Sequence, residues 1–351
     1  GFGMGKRIAG INLAKNGSLV ILHDGEIEFY LEEERVTRTK RDISAKTLAD
    51  KYIDSSIDAL TICDCFTRYT RQTYLERTRA KNELCKIAKS RGCLSIVDYR
   101  DRHHECHAAN AFYNSGFDDA VCVVMDGKGS FHTDDSISQA SGYGDAGVAL
   151  RYAEIESIYD YSGEFIPLFK HYSTFWSEEE SELLDEPYWY KGNLYSDRTS
   201  IGQAFRRVSR YCMFDEIEAG KTMGLSAYGH PDTPVNLFNE EYNHSLCSKD
   251  LYVSGNTTEY HGPKLRIEDL AYNLQKSAEK HAVFMIKKAV EMSGKKNVVV
   301  SGGFFLNCAA NQSIIKELDI NLYVDPISYD GGIAIGSALL EYEKHLSRTN
   351  I

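Results

Sequence analysis

Three short apolar runs open this chain: residues 6–13 (KRIAGINL), 18–23 (SLVILH) and 26–31 (EIEFYL). Between them stand Lys15-Asn16-Gly17 and Asp24-Gly25, turn chemistry that reverses a strand within two or three residues and so predicts antiparallel hairpins. A helix over 44–53, a strand over 57–63 and a long helical stretch over 71–91 follow. The opening then recurs: residues 119–126 read as a strand, Gly127-Lys128-Gly129 as a turn, and 136–159 as further strand-like segments. Near the end, helix 266–293 leads to strand 297–300, the pair Gly302-Gly303, helix 306–317, strand 321–325 and helix 332–346. Few α/β architectures accommodate hairpins at the head of each half and helices at its close.

One that does is the duplicated actin/hexokinase/Hsp70-like (ribonuclease-H-like) nucleotide-binding fold, with a central cleft. Residues 4–118 would form its first half and 119–345 its second, with an aromatic and acidic insertion near 158–198. Identity between the halves is too low to show duplication directly. A length of 351 residues allows a core for each half. No apolar run approaches the roughly 20 residues that span a bilayer, so no membrane segment is expected. Nine cysteines without a repeating framework fit reduced thiols in a cytoplasmic protein. A net charge of −11 does not indicate a nucleic-acid partner, because the surface as a whole would repel phosphate.

Residues 103–107 read His-His-Glu-Cys-His and open a helical segment, HHECHAANAFYNSGF. His103 and His107 are four apart and share one helix face, close enough to reach a single metal ion. His104 would be a spacer pointing elsewhere, and Glu105 a solvated side chain. There is no HExxH, so a zinc-protease reading lacks its general base. The run AVCVVMDG then delivers Asp126 into a glycine turn, adding a carboxylate. Two histidines at this spacing also arise by chance; what favours a metal is the company of phosphate-type loops.

Those loops are three. Lys15-Asn16-Gly17-Ser18 and Asp126-Gly127-Lys128-Gly129 would face each other across the cleft, their N–H groups forming anion-binding concavities. VVVSGGFFLN places Ser301-Gly302-Gly303 between a strand and a helix containing Asn307, suited to a phosphate or adenosine contact. Each alone is an ordinary turn; together they predict a bound nucleotide. EAGKTMGLSAYG (218–229) sets Gly220, Gly224 and Gly229 around Lys221, either a flexible loop or an anion contact. PISYDGG places Asp330 before Gly331-Gly332 and the last helix, where an aspartate alone reads as a cap. Basic residues crowd 68–91, with only Glu76 and Glu83 among them; they read as a solvated helix face or an anion-facing one.

HHECHAANAFYNSGFDDAVCVVMDG, EAGKTMGLSAYG, SGGFFLNCAAN and DGGIAIGSAL stand in the order seen in the O-carbamoyltransferases, the family of nodulation, cephalosporin and tobramycin carbamoyltransferases. The opening IAGIN…DGEIEFYLEEERVTRTKRD is similar too, so the resemblance runs from about residue 6 to 342. It implies an actin-like transferase domain related to the proteins that transfer threonylcarbamoyl to tRNA adenosine. It also implies a divalent metal of the iron type (with manganese or zinc as alternatives) held by His103, His107, Asp126 and Asp330. That metal would help hold the phosphate of a carbamoyl-adenylate, made from ATP and carbamoyl phosphate, whose carbamoyl group passes to an acceptor hydroxyl. Lys221, Gly224, Gly302, Gly303, Asn307, Gly127, Gly331 and Gly332 would line the nucleotide site. Lys40 matches a family lysine on the acceptor side.

Two departures limit the transfer. Relatives carry a His-Asp pair in the first hairpin turn, where this chain has Lys15-Asn16; Lys15 can hold a phosphate but is a poor base unless its pKa is depressed. Relatives usually also continue into a YrdC-like domain that makes the carbamoyl-adenylate; here that activating domain would be either a partner on a separate chain or part of a longer chain of which this sequence is a piece. The acceptor, a small molecule or nucleotide with a free hydroxyl, is open among sugars, antibiotic hydroxymethyl groups and hydroxymethylated pyrimidines. The aromatics between Tyr159 and Tyr190 would form either a packed satellite or a lid over it. Two rival readings are threonylcarbamoyl transfer to tRNA and a non-catalytic adenine-nucleotide-binding regulator.

Overall fold

The computed structural model describes residues 5–13, 17–32, 46–64, 71–127, 129–133, 151–174, 184, 186–213, 219–254, 257–303, 315, 318–326 and 330–349. The first sheet comprises β1 (Arg7–Asn12), β2 (Ser18–His23), β3 (Glu26–Glu32), β4 (Ala59–Cys63) and β5 (Ile96–Asp98), in the order β3-β2-β1-β4-β5. The hairpins expected of the opening runs are present: β1–β2 and β2–β3 are antiparallel, while β4 and β5 add on in parallel. Asp24 and Gly25 both take positive φ (50° and 83°), the left-handed pair whose twist matches a two-residue hairpin. Side chains alternate across β1. Ala9 and Ile11 pack with the layer of α1 (Lys46–Tyr52) and α2 (Arg71–Ser90), and Ile8 with that of α3 (His103–Ser115) and α7 (Ile333–Thr349).

The second sheet is larger. It joins β6 (Ala120–Met125), β8 (Arg151–Tyr161), β9 (Phe165–Ser173), β10 (Tyr188–Tyr190), β11 (Asn193–Ser196), β16 (Asn297–Ser301) and β17 (Asn321–Val324) in the order β10-β11-β9-β8-β6-β16-β17, with β7 (Phe131–Thr133) on β8. Helices α4 (Ile201–Tyr211), α5 (Ala219–Ser226) and α6 (Ile267–Ser293) follow or cover it, β12 (Phe238–Glu241) pairs with β13 (His244–Cys247) beside α6, and β14 (Leu251–Ser254) pairs with β15 (Thr257–Tyr260). Leu270, Leu274, Ala278, Met285 and Ile286 of α6 meet Val121, Val123, Val298 and Val300 in the main core.

Helix α3 is the wedge between the sheets. Cys106 and Ala109 pack toward the first, while Ala108, Ala111 and Phe112 pack toward Val124, Tyr159 and Val299 of the second. Its far end stops at Gly116, φ 78°, a left-handed cap suited to glycine. Helix α7 returns to the first sheet and lies against α3. The approach is close: a Cβ on Gly336 would stand 1.8 Å from the carbonyl oxygen of Cys106, so only glycine fits there.

Two segments differ from their simplest sequence reading. Residues 219–226 are helical where a flexible loop was one alternative. Most of the described part of the aromatic stretch is built into strands of the second sheet: Tyr195 stacks between Tyr172 (centroids 5.1 Å) and Tyr188 (5.2 Å), and the hydroxyls of Tyr152 and Tyr188 lie 3.0 Å apart. In the basic run, Arg77 pairs with Asp64, Lys81 with Asp98 and Arg91 with Asp50. Most of the expected helix at 306–317 lies outside the described residues.

Candidate metal centre and nucleotide cleft

Helix α3 begins without a side-chain cap from Arg102. Its first N–H groups, which cannot bond within the helix, find partners across the chain: His103 N–H donates to Ser130 Oγ (3.1 Å) and His104 N–H to Glu154 Oε1 (3.0 Å). The start of α3 is thereby pinned to the second sheet, where β6 ends.

At that junction His103, His107 and Asp126 converge, all buried, with one ligand atom from each lying within 4.8 Å of the others. His103 Nε2 is 2.9 Å from Asp126 Oδ2 and 3.1 Å from His107 Nε2, and His107 Nε2 is 3.7 Å from Asp126 Oδ2. The outer nitrogens indicate which atoms carry protons. His103 Nδ1 lies 3.2 Å from the carbonyl oxygen of Asp64, which only accepts, so Nδ1 is the protonated nitrogen. Ser301 gives its single hydroxyl proton to Asp325 Oδ2 (2.8 Å) and, 3.4 Å from His107 Nδ1, is left to accept from that ring. Both Nε2 atoms and the Asp126 carboxylate therefore present lone pairs to one another. A cation must resolve this: either an extra proton on His103 or a metal ion. Two imidazoles oriented by outer partners, with a carboxylate, are a donor set suited to a divalent ion of the iron, manganese or zinc kind.

Asp325 is a residue the sequence reading passed over. It is buried, accepts from both Ser301 and Asn110 (each 2.8 Å), and so joins β16, β17 and α3 behind His107. Its signal was available: β17 runs into Asp325 just as β6 runs into Asp126. The second carboxylate proposed in its stead, Asp330, lies in a single 3-10 turn (Asp330–Gly332) packed against α3 and α7, and its side chain is outside the described residues.

Gly127, Gly302 and Gly303 lie beside this centre. Gly127 N–H donates to Asp126 Oδ1 (2.7 Å). Gly302 has φ 103°, and a Cβ there would stand 2.2 Å from the carbonyl oxygen of Met125. Gly303 differs: its Cβ would lie 3.7 Å from Asp126 Oδ1 in ordinary contact, so among the described residues packing does not demand glycine there. The Gly331 carbonyl accepts from Ser18 Oγ (3.0 Å) and Tyr30 (3.2 Å), which ties the Gly331-Gly332 turn to the first hairpin. Lys221 and Gly224 are exposed on α5, and a Cβ on Gly220 or Gly224 would meet nothing within 4 Å among the described residues. Lys15, Lys40 and Asn307 lie outside the described residues.

A second buried group, Glu156 with His171, His244 and His281, also has metal-type donors. His171 Nδ1 and His244 Nε2 stand 2.9 and 2.5 Å from Glu156 Oε1, and His281 Nε2 stands 2.7 Å from Oε2. Here the protons are already accounted for. Lys288 donates to His244 Nδ1 (3.3 Å), and Ser196 lies 2.6 Å from His171 Nε2, so on these two rings the nitrogens facing Glu156 carry hydrogens. Burial pushes His244 down to about 4, which keeps its ring neutral. One ammonium balances one carboxylate, and adding a dication would leave excess buried charge. This group is a hydrogen-bond hub joining β8, β9, β13 and α6.

Two sheets, the first headed by hairpins, with a helix wedged between them define a fold of the actin/hexokinase/Hsp70 class. A solved structure of full-length HypF in a phosphate- and nucleotide-bound form is similar at a TM-score of 0.51 and 12% identity, covering 96% of this chain and 55% of that one. Residues 50–339 match the family described as carbamoyltransferase N-terminus, and the chain belongs to that family. It is 26% identical to nodulation protein NolNO of Sinorhizobium fredii over 93% of this chain and 46% of that protein. It is 24% identical to the uncharacterized protein sll1178 of Synechocystis, over 94% and 56%. A shorter match, 28% identical over 41% of this chain and 45% of the relative, is to the tRNA N6-adenosine threonylcarbamoyltransferase of Kosmotoga olearia. The chain spans about half the length of the curated relatives it matches.

Proposed function

We propose that this chain carries out the transfer step of an O-carbamoyltransferase, moving a carbamoyl group from carbamoyl-adenylate to an acceptor hydroxyl. The observation that carries the reading is the set of three inward-facing lone pairs on His103, His107 and Asp126, beside Gly303, in a member of the carbamoyltransferase family. A divalent ion there, with Asp330 as the further ligand implied by resemblance, would supply Lewis acidity toward the adenylate phosphate.

The chain's own residues do the rest. Asp64, Ser301 and Asp325 hold the two imidazoles in one tautomer and one orientation. The side at Gly303 admits the phosphate, and the bare face of α5 at Gly220 and Gly224 lets a nucleotide approach Lys221 closely. In the reaction the acceptor oxygen bonds to the carbamoyl carbon and the bond from that carbon to the phosphate oxygen breaks. AMP leaves with the electron pair and the acceptor proton passes to a base. Positioning both reactants in a dry cleft is the main service of such a site. By resemblance, Lys40 stands on the acceptor side and Lys15 near phosphate.

Calorimetry with AMP tests the cleft. Gly303→Val should remove most AMP binding from a protein that still folds, whereas equal affinity in variant and wild type takes the Gly302-Gly303 loop out of the site.

A further inference from the structure

The middle histidine of the motif is no spacer. His104 is fully buried, and its ring hangs between the second sheet and the candidate metal centre. On the outer side, Nδ1 lies 2.8 Å from Ser157 Oγ. Lys170 Nζ donates to Ser157 Oγ (3.1 Å), to Glu154 Oε2 (2.6 Å) and to Tyr159 (2.7 Å), spending its three protons. Ser157 accepts from the ammonium and can give its own proton to His104 Nδ1. In that arrangement a hydrogen stands on Nε2, the nitrogen turned toward Asp126. Nε2 is 3.8 Å from Asp126 Oδ2 and has no hydrogen-bond partner among the described residues.

We propose that His104 is a positioning residue for Asp126, presenting an Nε2–H that closes onto the carboxylate and aims its remaining lone pairs at the ion held with His103 and His107. This rests on the metal reading above and extends it to a residue outside the ligand set. The chemistry separates the three histidines of one motif: His103 and His107 turn lone pairs inward, whereas His104 turns a proton inward. A buried N–H without a partner is costly, and a shift of under 1 Å relieves it. Carboxylate ligands are held by such outer donors, and losing one lowers metal affinity by about 10–100-fold. The close-lying glycine fits the same account. A Cβ on Gly129 would stand 2.7 Å from His104 Cδ2, so glycine leaves the ring its place beside Asp126.

Two measurements on the full chain test this. Nitrogen NMR of histidine-labelled protein without metal should show His104 as the neutral Nε2–H tautomer, and an Nδ1–H tautomer would overturn the proposal whatever the metal does. Cobalt(II) titration should show about 10–100-fold weaker binding for His104→Leu, with His104→Gln, which keeps a donor, recovering most of it. His107→Ala should lose binding altogether. A folded His104→Leu that binds cobalt as tightly as wild type contradicts the proposal. So does a His104→Leu that changes the visible cobalt spectrum as a lost ligand would. Absence of cobalt binding in the wild type would instead sink the metal reading, with the tautomer result still deciding where the His104 proton lies.

Discussion

Asp325 Oδ2 accepts the Ser301 hydroxyl at 2.8 Å, and this bond sets which way Ser301 can serve His107. Because the hydroxyl proton is taken, Ser301 receives the Nδ1 proton of His107 and leaves Nε2 free. Ser301→Ala or Asp325→Asn should therefore weaken divalent-metal binding by about 10–100-fold without unfolding the protein. Competition titration against a chelator measures it; unchanged affinity in both variants would mean that the outer chain does not orient His107.

The two glycines of the β16 loop should behave differently. Gly302→Ala forces a side chain into φ 103° and against the Met125 carbonyl, with about 1–3 kcal/mol from the backbone alone and more from the clash. Among the described residues, Gly303→Val meets only ordinary contacts at its Cβ and should retain stability while losing AMP. Urea unfolding of the pair separates a structural glycine from one that leaves room for ligand, and equal destabilisation would erase the distinction.

Proton accounting predicts one resident divalent ion among the two histidine groups. Elemental analysis of metal-loaded protein should give about one equivalent. His107→Ala should abolish it, while His171→Ala and His244→Gln leave it intact. Glu156→Gln, which strips the hub of its charge, should cost stability and not metal. A second equivalent that disappears with His171→Ala would show that the hub is a metal site after all.

Stability should fall in mild acid through His104. Its ordinary value is 6.5, and burial lowers it to about 3 in the folded chain. Between those values the unfolded state binds the extra proton, so stability is complete above the upper one and drains as pH falls toward the lower. The slope is about 1.4 kcal/mol per pH unit for one such group. The stability gap between wild type and His104→Gln should narrow below about pH 6.5. A gap that stays constant from about pH 7.5 to about 4.5 would show that His104 does not drive the loss.

The hairpins, the helix at 103 and the strand into Asp126 were all legible because each is written locally, in turn residues, four-residue spacing and an apolar run. His103, His107 and Asp126 could be proposed together because the strand follows the helix directly. What escaped was long-range. Asp325 reaches His107 through Ser301, and no periodicity links residue 325 to residue 107. The hub takes its members from positions 156, 171, 244 and 281, which only sheet pairing and α6 bring together. His104 was passed over for another reason: its neighbours in sequence say which face it occupies, and only the described partners Ser157 and Lys170 say where its proton sits.

The transfer reaction itself is tested most directly by mass spectrometry of the product. Metal-loaded protein is supplied with carbamoyl-adenylate and, separately, a hexose, a hydroxymethyl cephem and a 5-hydroxymethyl pyrimidine nucleotide. The account predicts that one of these acceptors gains a single carbamoyl group with release of AMP, and that His107→Ala abolishes the gain. A carbamate formed equally well by folded, metal-free His107→Ala would contradict the role given to the His103, His107 and Asp126 centre. So would an adduct carrying threonine with the carbamoyl group, formed on tRNA when threonylcarbamoyl-adenylate is offered in place of carbamoyl-adenylate.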